Sequence, residues 1–213
     1  MLKRSVTIVM VLIAFFGVVK VYAQEESYNK QAYNSILSGD YAKAAEMYTK
    51  AIENNPNFAP SLYGRGLAYS HMGKYAEANT DLTKALEIDK FYHEAYFARG
   101  INYSKMGDSQ GALNDFNKAL DIKPDKAEYY YARGMVNHLL KNLDKAFADY
   151  NKSIEIDPAY GPAYYGRGVV NQLQERKSAA IKDYDRYLEL NGNRDNLEAE
   201  AKRLKKELLE DED

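Results

Sequence analysis

Along this chain, bulky, small and polar residues alternate in steps of three and four, and the whole pattern returns every 34 positions. In the first half of each period a bulky, a small and a second bulky residue follow one another as Tyr96, Gly100 and Tyr103 do. That spacing keeps them on one face of a helix. The second half repeats the step with Ala112, Phe116 and Ala119, which predicts a second helix. Gly39-Asp40, Gly73-Lys74 and Gly107-Asp108 fall between the halves and supply a turn that stops the first helix. Asn55-Pro56, Lys123-Pro124 and Asp157-Pro158 stop the second, because a residue that precedes proline is pushed out of the helical region.

The register holds through five copies, 25–58, 59–92, 93–126, 127–160 and 161–194, with no insertion. Gly66, Gly100, Gly134 and Gly168 occupy repeat position 8, and Ala44, Ala78, Ala112, Ala146 and Ala180 occupy position 20. A fixed period of this length means stacked copies of one unit. On these residues the chain, over 25–194, resembles the tetratricopeptide repeat family. The resemblance implies an all-α fold, a right-handed superhelical solenoid of five helix-turn-helix repeats with a concave inner face. The small residues at positions 8 and 20 let the paired helices approach, and the bulky residue at 24 fills the neighbouring gap. Some copies depart from the pattern. Lys90 stands in place of proline, Lys141 and Glu175 in place of the turn glycine, and Gly111 lies inside a helix, which makes repeat three the softer copy. Tyr187 takes a place held elsewhere by Ala51, Ala85, Ala119 and Ser153, so a different neighbour is expected there. Within 195–213, Leu197, Ala201, Leu204 and Leu208 share one face of a further helix, and an acidic tail follows. A solenoid needs such a cap to cover its last core.

Two charged columns run through the same register. Arg65, Arg99, Arg133 and Arg167 occupy position 7, and Asp81, Asp115, Asp149 and Asp183 occupy position 23. Repeat one has Gln31 and Met47 there, so both partners are missing together. Positions 7 and 23 lie at nearly one level of an antiparallel hairpin, which predicts a structural ion pair within each repeat. A row of arginines for an acidic partner is the other reading, but a matched Asp already neutralises each one.

With 29 Lys+Arg against 31 Asp+Glu, no basic surface for nucleic acid is expected. The absence of Cys excludes disulfides, thiolate metal sites and a cysteine nucleophile. Residues 1–23 have the form of a signal peptide: basic Lys3 and Arg4, an apolar run over Val6–Val19, and a Val21-Tyr22-Ala23 cleavage site. A membrane anchor is the alternative, although Lys20 ends the apolar run short of a spanning length. Cleavage leaves no membrane span. Export without Cys suits the bacterial periplasm, with release as a secreted protein the other destination.

Catalytic motifs are scarce. Gly64-Arg65-Gly66 and Gly166-Arg167-Gly168 fall in mid-helix and lack the Lys-Ser/Thr of a phosphate loop. Ser27 and Lys30 have no companion motif, and His71, His93 and His138 share no register from which to hold a metal. No enzyme activity and no cofactor are expected. The resemblance places the ligand-facing positions on each first helix. Position 5 is Asn29, Tyr63, Phe97, Tyr131 and Tyr165, and position 9 is Tyr33, Leu67, Ile101, Met135 and Val169. Known clamps for a chaperone's terminal carboxylate put Lys and Asn at positions 5 and 9 of the first repeat, so Asn29 and Tyr33 argue against that ligand class. The ladder of Tyr63, Phe97, Tyr131 and Tyr165 with Leu67, Ile101, Met135 and Val169 predicts a non-enzymatic scaffold that binds a peptide or protein segment. Packing of the tyrosines on adjacent helices, and self-association of the chain, are the competing readings.

Overall fold

The computed structural model describes residues 24–191 and 197–210. The expected signal peptide and the last residues of the acidic tail lie outside them. Among the described residues there are eleven helices and no strand. They are α1 (24–37), α2 (Tyr41–Asn54), α3 (Ala59–His71), α4 (Tyr75–Ile88), α5 (His93–Lys105), α6 (Ser109–Ile122), α7 (Ala127–Leu139), α8 (Leu143–Ile156), α9 (Gly161–Leu173), α10 (Lys177–Asn191) and α11 (Glu198–Glu210). The chain falls into two compact units that divide after Asn102, inside α5.

The turns show how a periodic sequence becomes a periodic backbone. Gly39, Gly73 and Gly107 end the first helix of their hairpins with φ of +77°, +74° and +84°, a region open to glycine at little cost. Lys141 and Glu175 adopt the same left-handed turn with φ of +60° and +59°. The turn therefore survives loss of its glycine, at the steric cost a Cβ incurs there. Asp40 and Asp108 then cap the helices that follow, accepting from the backbone N–H of Lys43 at 3.1 Å and of Gly111 at 2.8 Å. Gly111 has a local use, since a Cβ on it would lie 2.4 Å from the Asp108 carboxylate and 3.0 Å from the Tyr103 ring. Asp89, although Lys90 follows it, is as extended (φ −125°, ψ 101°) as Asp157 before Pro158 (φ −132°, ψ 96°).

In the first unit, Ala44, Ala78 and Ala85 are fully buried, and Leu82, Leu86, Ala95 and Ala98 form a core against Tyr63, Leu67, Tyr92 and Tyr96. Position 24 carries large interior side chains, and in repeats two, four and five a glycine of the same hairpin makes room for them. A Cβ on Gly66 would meet Leu82 at 3.0 Å, and one on Gly168 would meet the Tyr184 ring at 2.8 Å. The glycine of position 6 serves the preceding repeat. A Cβ on Gly64 would sit 2.2 Å from Tyr48, and one on Gly166 would sit 2.7 Å from Tyr150. Across four repeats the pairs read Tyr48 with Gly64, Leu82 with Ala98, Phe116 with Ala132, and Tyr150 with Gly166. Tyrosine is matched by glycine, and a smaller or hydroxyl-free side chain by alanine.

In the second unit, Tyr184 and Tyr187 are fully buried in one cluster with Ala180, Ala201 and Leu208, flanked by Leu197 and Leu204. The neighbour of Tyr187 is thus α11, whose apolar face covers the end of repeat five. Each fully buried large side chain of this kind contributes about 2 kcal/mol.

Candidate functional site

Two surfaces are built from the repeat register, a polar seam and an apolar face. In the seam, Arg65 donates to Asp81 through Nε at 2.6 Å and Nη2 at 2.8 Å. Arg133 and Arg167 each grip Asp149 and Asp183 in the same forked way, with shortest contacts of 2.6 Å. The carboxylates are almost fully buried and the guanidinium groups retain some access to water. The hydrogen bonds Arg65 donates to Asp81 raise its pKa further, which keeps it charged. Arg99 and Asp115 fall in different units, and their pairing stays an expectation.

Each arginine also reaches the preceding repeat. Nη1 donates to Thr49 from Arg65 (3.0 Å), to Thr83 from Arg99 (2.9 Å), to Asn117 from Arg133 (2.7 Å) and to Asn151 from Arg167 (2.6 Å). In Arg65, Arg133 and Arg167 one guanidinium therefore closes its own hairpin and ties it to the hairpin before. The guanidinium groups of Arg99, Arg133 and Arg167 also lie over Tyr96, Tyr130 and Tyr164, 5.4 to 5.7 Å from the ring centres. Asn137 and Asn171 donate to the second oxygen of Asp149 and Asp183 at 3.0 and 2.9 Å. These oxygen-bearing partners recur at position 25 as Thr49, Thr83, Asn117, Asn151 and Asp185, a column legible in the sequence once the arginine column is known. At Asp185 no further repeat follows within the register, and Lys205 of α11 donates to it instead.

The apolar face is carried by the first helix of each hairpin. In the first unit, Tyr63 and Leu67 are half-buried, and Tyr63 packs on Tyr92 with ring centres 4.9 Å apart. Phe97 and Ile101 are half-buried as well. In the second unit, Tyr131 packs on Tyr150 at 5.9 Å and edge-on to Tyr160 at 5.5 Å, and Tyr165 packs on Tyr184 at 6.0 Å and Tyr187 at 5.3 Å. The tyrosines of position 5 thus pack on rings of their own repeat while remaining only half-buried. Burial pushes the hydroxyls of Tyr63, Tyr160 and Tyr165 up to about 12, and those of Tyr92, Tyr150 and Tyr184 higher still. Tyr165 also hydrogen-bonds Glu200 on α11, which adds to its shift.

Around α7 and α9 the face opens into two adjoining cavities. One, of about 540 Å³, lies between Tyr131, Met135, Tyr165, Val169, Leu197 and Leu204. The second, of about 630 Å³, is lined by Met135, Leu139, Leu143 and Leu173 with Ser104, His138 and Lys141. Met135, His138 and Leu173 belong to both, so the two form one trough. Met135, Leu139 and Leu173 are 48, 69 and 56 % exposed. Of the other histidines, His71 stacks flat on Tyr41 at 4.3 Å and His93 lies 3.4 Å from Glu94.

Three models of the tetratricopeptide repeat match residues 25–58, 47–78 and 97–161, together more than half of the sequence. The chain belongs to the tetratricopeptide repeat family. Solved structures of tetratricopeptide proteins share its fold. MamA superposes with a TM-score of 0.69 at 25 % identity, over 79 % of this chain and 92 % of that one. YrrB, described as a tetratricopeptide protein with an unusual peptide-binding site, superposes at 0.67 with 23 % identity over 84 and 90 %. A tetratricopeptide repeat protein from Parabacteroides merdae superposes at 0.72 with 23 % identity over 87 and 72 %. Among curated proteins, none matches the sequence. Tetratricopeptide repeats are in general interaction modules and not enzymes, which directs attention to the apolar face. No helix among the described residues is long and apolar enough to cross a membrane.

Proposed function

We propose that this chain is a non-enzymatic scaffold that captures a protein or peptide segment on its first-helix face. Tyr63 and Phe97 form the floor in the first unit, with Leu67 and Ile101 beside them, and Tyr131 and Tyr165 form it in the second, with Met135 and Val169 beside them. The observation that carries the reading is the trough at α7 and α9, where Met135, Leu139 and Leu173 expose about half or more of their surface. Apolar side chains left open in a row mark contact with something. A photo-crosslinking residue in place of Met135 should trap a partner in the native envelope, while the same residue in place of Lys118, which lines neither cavity, should not. Equal capture from both places would sink the proposal.

The signal-like residues 1–23 support a site of action outside the cytoplasm, in the periplasm or beyond it. Chain recovered from the envelope should begin at Gln24, and recovery of an intact Met1 terminus there would favour a retained anchor. A second reading is self-association, favoured by Tyr33 and Leu37, which are 57 and 68 % exposed on α1. Sedimentation of the processed chain separates the two, since a stable oligomer abolished by Leu37→Asp points to self-association.

A further inference from the structure

The trough has an electrically polar end, and that end selects among ligands. The cavity of about 630 Å³ is walled by Met135, Val136, Leu139, Leu143 and Leu173, and its remaining lining is Ser104, His138 and Lys141. No carboxylate lines it. Lys141 is exposed, stands in the left-handed turn between α7 and α8, and makes no ion pair among the described residues. The nearest acids along the sequence are otherwise engaged: Asp144 accepts from Gln174 at 3.0 Å and Asp149 holds Arg133. Glu200, at the far end of the adjoining cavity, is bonded to Tyr165 and lies 3.8 Å from Arg203. A cation in no ion pair among the described residues thus borders an apolar hollow, with a hydroxyl and an imidazole as further hydrogen-bonding groups.

From this we infer that the α7–α9 end of the trough takes a polypeptide segment that presents aliphatic side chains beside an acidic side chain, with the acid seated at Lys141. This rests on the reading of the first-helix face as the docking surface and names the chemistry of its partner. Polypeptide fits better than a small molecule. A small-molecule site encloses most of its ligand, whereas Leu139 and Leu173 in the lining are 69 and 56 % exposed, an open wall. Aliphatic anchors supply the affinity, and the charge at Lys141 supplies the preference.

The test uses the full chain and a fluorescein-labelled peptide of leucines and glutamates, acetylated and amidated so that neither terminus is charged. Two twins accompany it, one with lysine for every glutamate and one with alanine for every leucine. Anisotropy at low salt should show the glutamate peptide bound about fivefold more tightly than its lysine twin. The alanine twin should lose tenfold or more. In Lys141→Glu the order of the two charged peptides should invert, and in Lys118→Glu it should persist. Leu173→Ala should weaken both charged peptides alike while the helical circular dichroism stays unchanged. Equal binding of the charged twins, a preference that survives Lys141→Glu, or no binding of any peptide overturns the inference. Should Met135 still crosslink a partner when no peptide binds, the docking face stands and its acidic preference falls.

Discussion

In the seam, Arg65, Arg133 and Arg167 meet an aspartate of their own hairpin and a hydroxyl or amide oxygen of the hairpin before. On the first-helix face the corresponding places hold Leu67, Ile101, Met135 and Val169, which differ in every copy. The seam is uniform because each repeat must solve the same packing problem, with a charge to neutralise and two helices to align. The face is uneven because nothing inside the fold completes it. Its half-buried aromatics and exposed leucines leave surface open to solvent, so each copy has been free to take a different shape. Uniformity marks what holds the stack together, and variation marks what the stack offers to others.

Alkali should give the largest effect and shows which layer fails first. Tyr63, Tyr160 and Tyr165 have folded pKa values raised to about 12 from an ordinary value of 10. Above pH 10 the unfolded chain gives up protons that the folded chain retains, so stability is complete below 10 and is lost as pH rises from 10 to 12. Arg65 of the seam, whose pKa the hydrogen bond to Asp81 raises, keeps its charge over that range. Loss of helicity coincident with tyrosinate absorbance places the weakness in the aromatic layer, and full helicity at pH 12 contradicts the assignment.

Breaking the seam comes next. Arg133→Met leaves the buried Asp149 without its cation and should cost about 3 kcal/mol in chemical denaturation. Adding Asp149→Leu should restore most of it, because the penalty is an orphaned charge and not a lost attraction. If the double variant is as unstable as the single one, the seam contributes through shape alone.

Gly64→Ala tests the fit between copies. The added Cβ would meet Tyr48 at 2.2 Å, and overpacking of this kind costs about 2 kcal/mol. In a Tyr48→Leu background, which copies the natural pairing of Leu82 with Ala98, the same change should be nearly neutral. Equal costs in both backgrounds would refute the size matching. Lys141→Gly should act in the opposite direction and stabilise by about 1 kcal/mol, since it relieves a Cβ at φ +60°. It should also weaken the preference for acidic peptides, which ties the turn to the trough. The smallest effect belongs to Met135→Ala, whose half-open side chain should change stability by less than about 0.5 kcal/mol while contact with a partner is lost.

Several features that look hidden were present in the sequence in a form easy to pass over. The column Thr49, Thr83, Asn117 and Asn151 has the same period as the arginines, yet a polar residue on a helix reads as solvated surface until its partner is placed. Asn137 and Asn171 lie where an apolar stripe leads one to expect a bulky side chain, and the contradiction was itself the signal of a buried polar contact. Gly64 and Gly166 were recognisable as packing glycines, but the residues packed against them lie sixteen positions earlier, in another repeat.

The 34-residue period, the turn residues and the small side chains determined the hairpins without help, because helix spacing and chain reversal are local properties read over a few residues. The α11 cap was equally legible from Leu197, Ala201, Leu204 and Leu208. Which surfaces remain open was decided only by the tertiary structure. Tyr131 and Met135 stand four positions apart on one helix, and whether each lines a floor or stays wet depends on the rings of Tyr150 and Tyr160 and on the distance to α9. Exposure is a property of neighbours brought together by packing, and no local pattern encodes it.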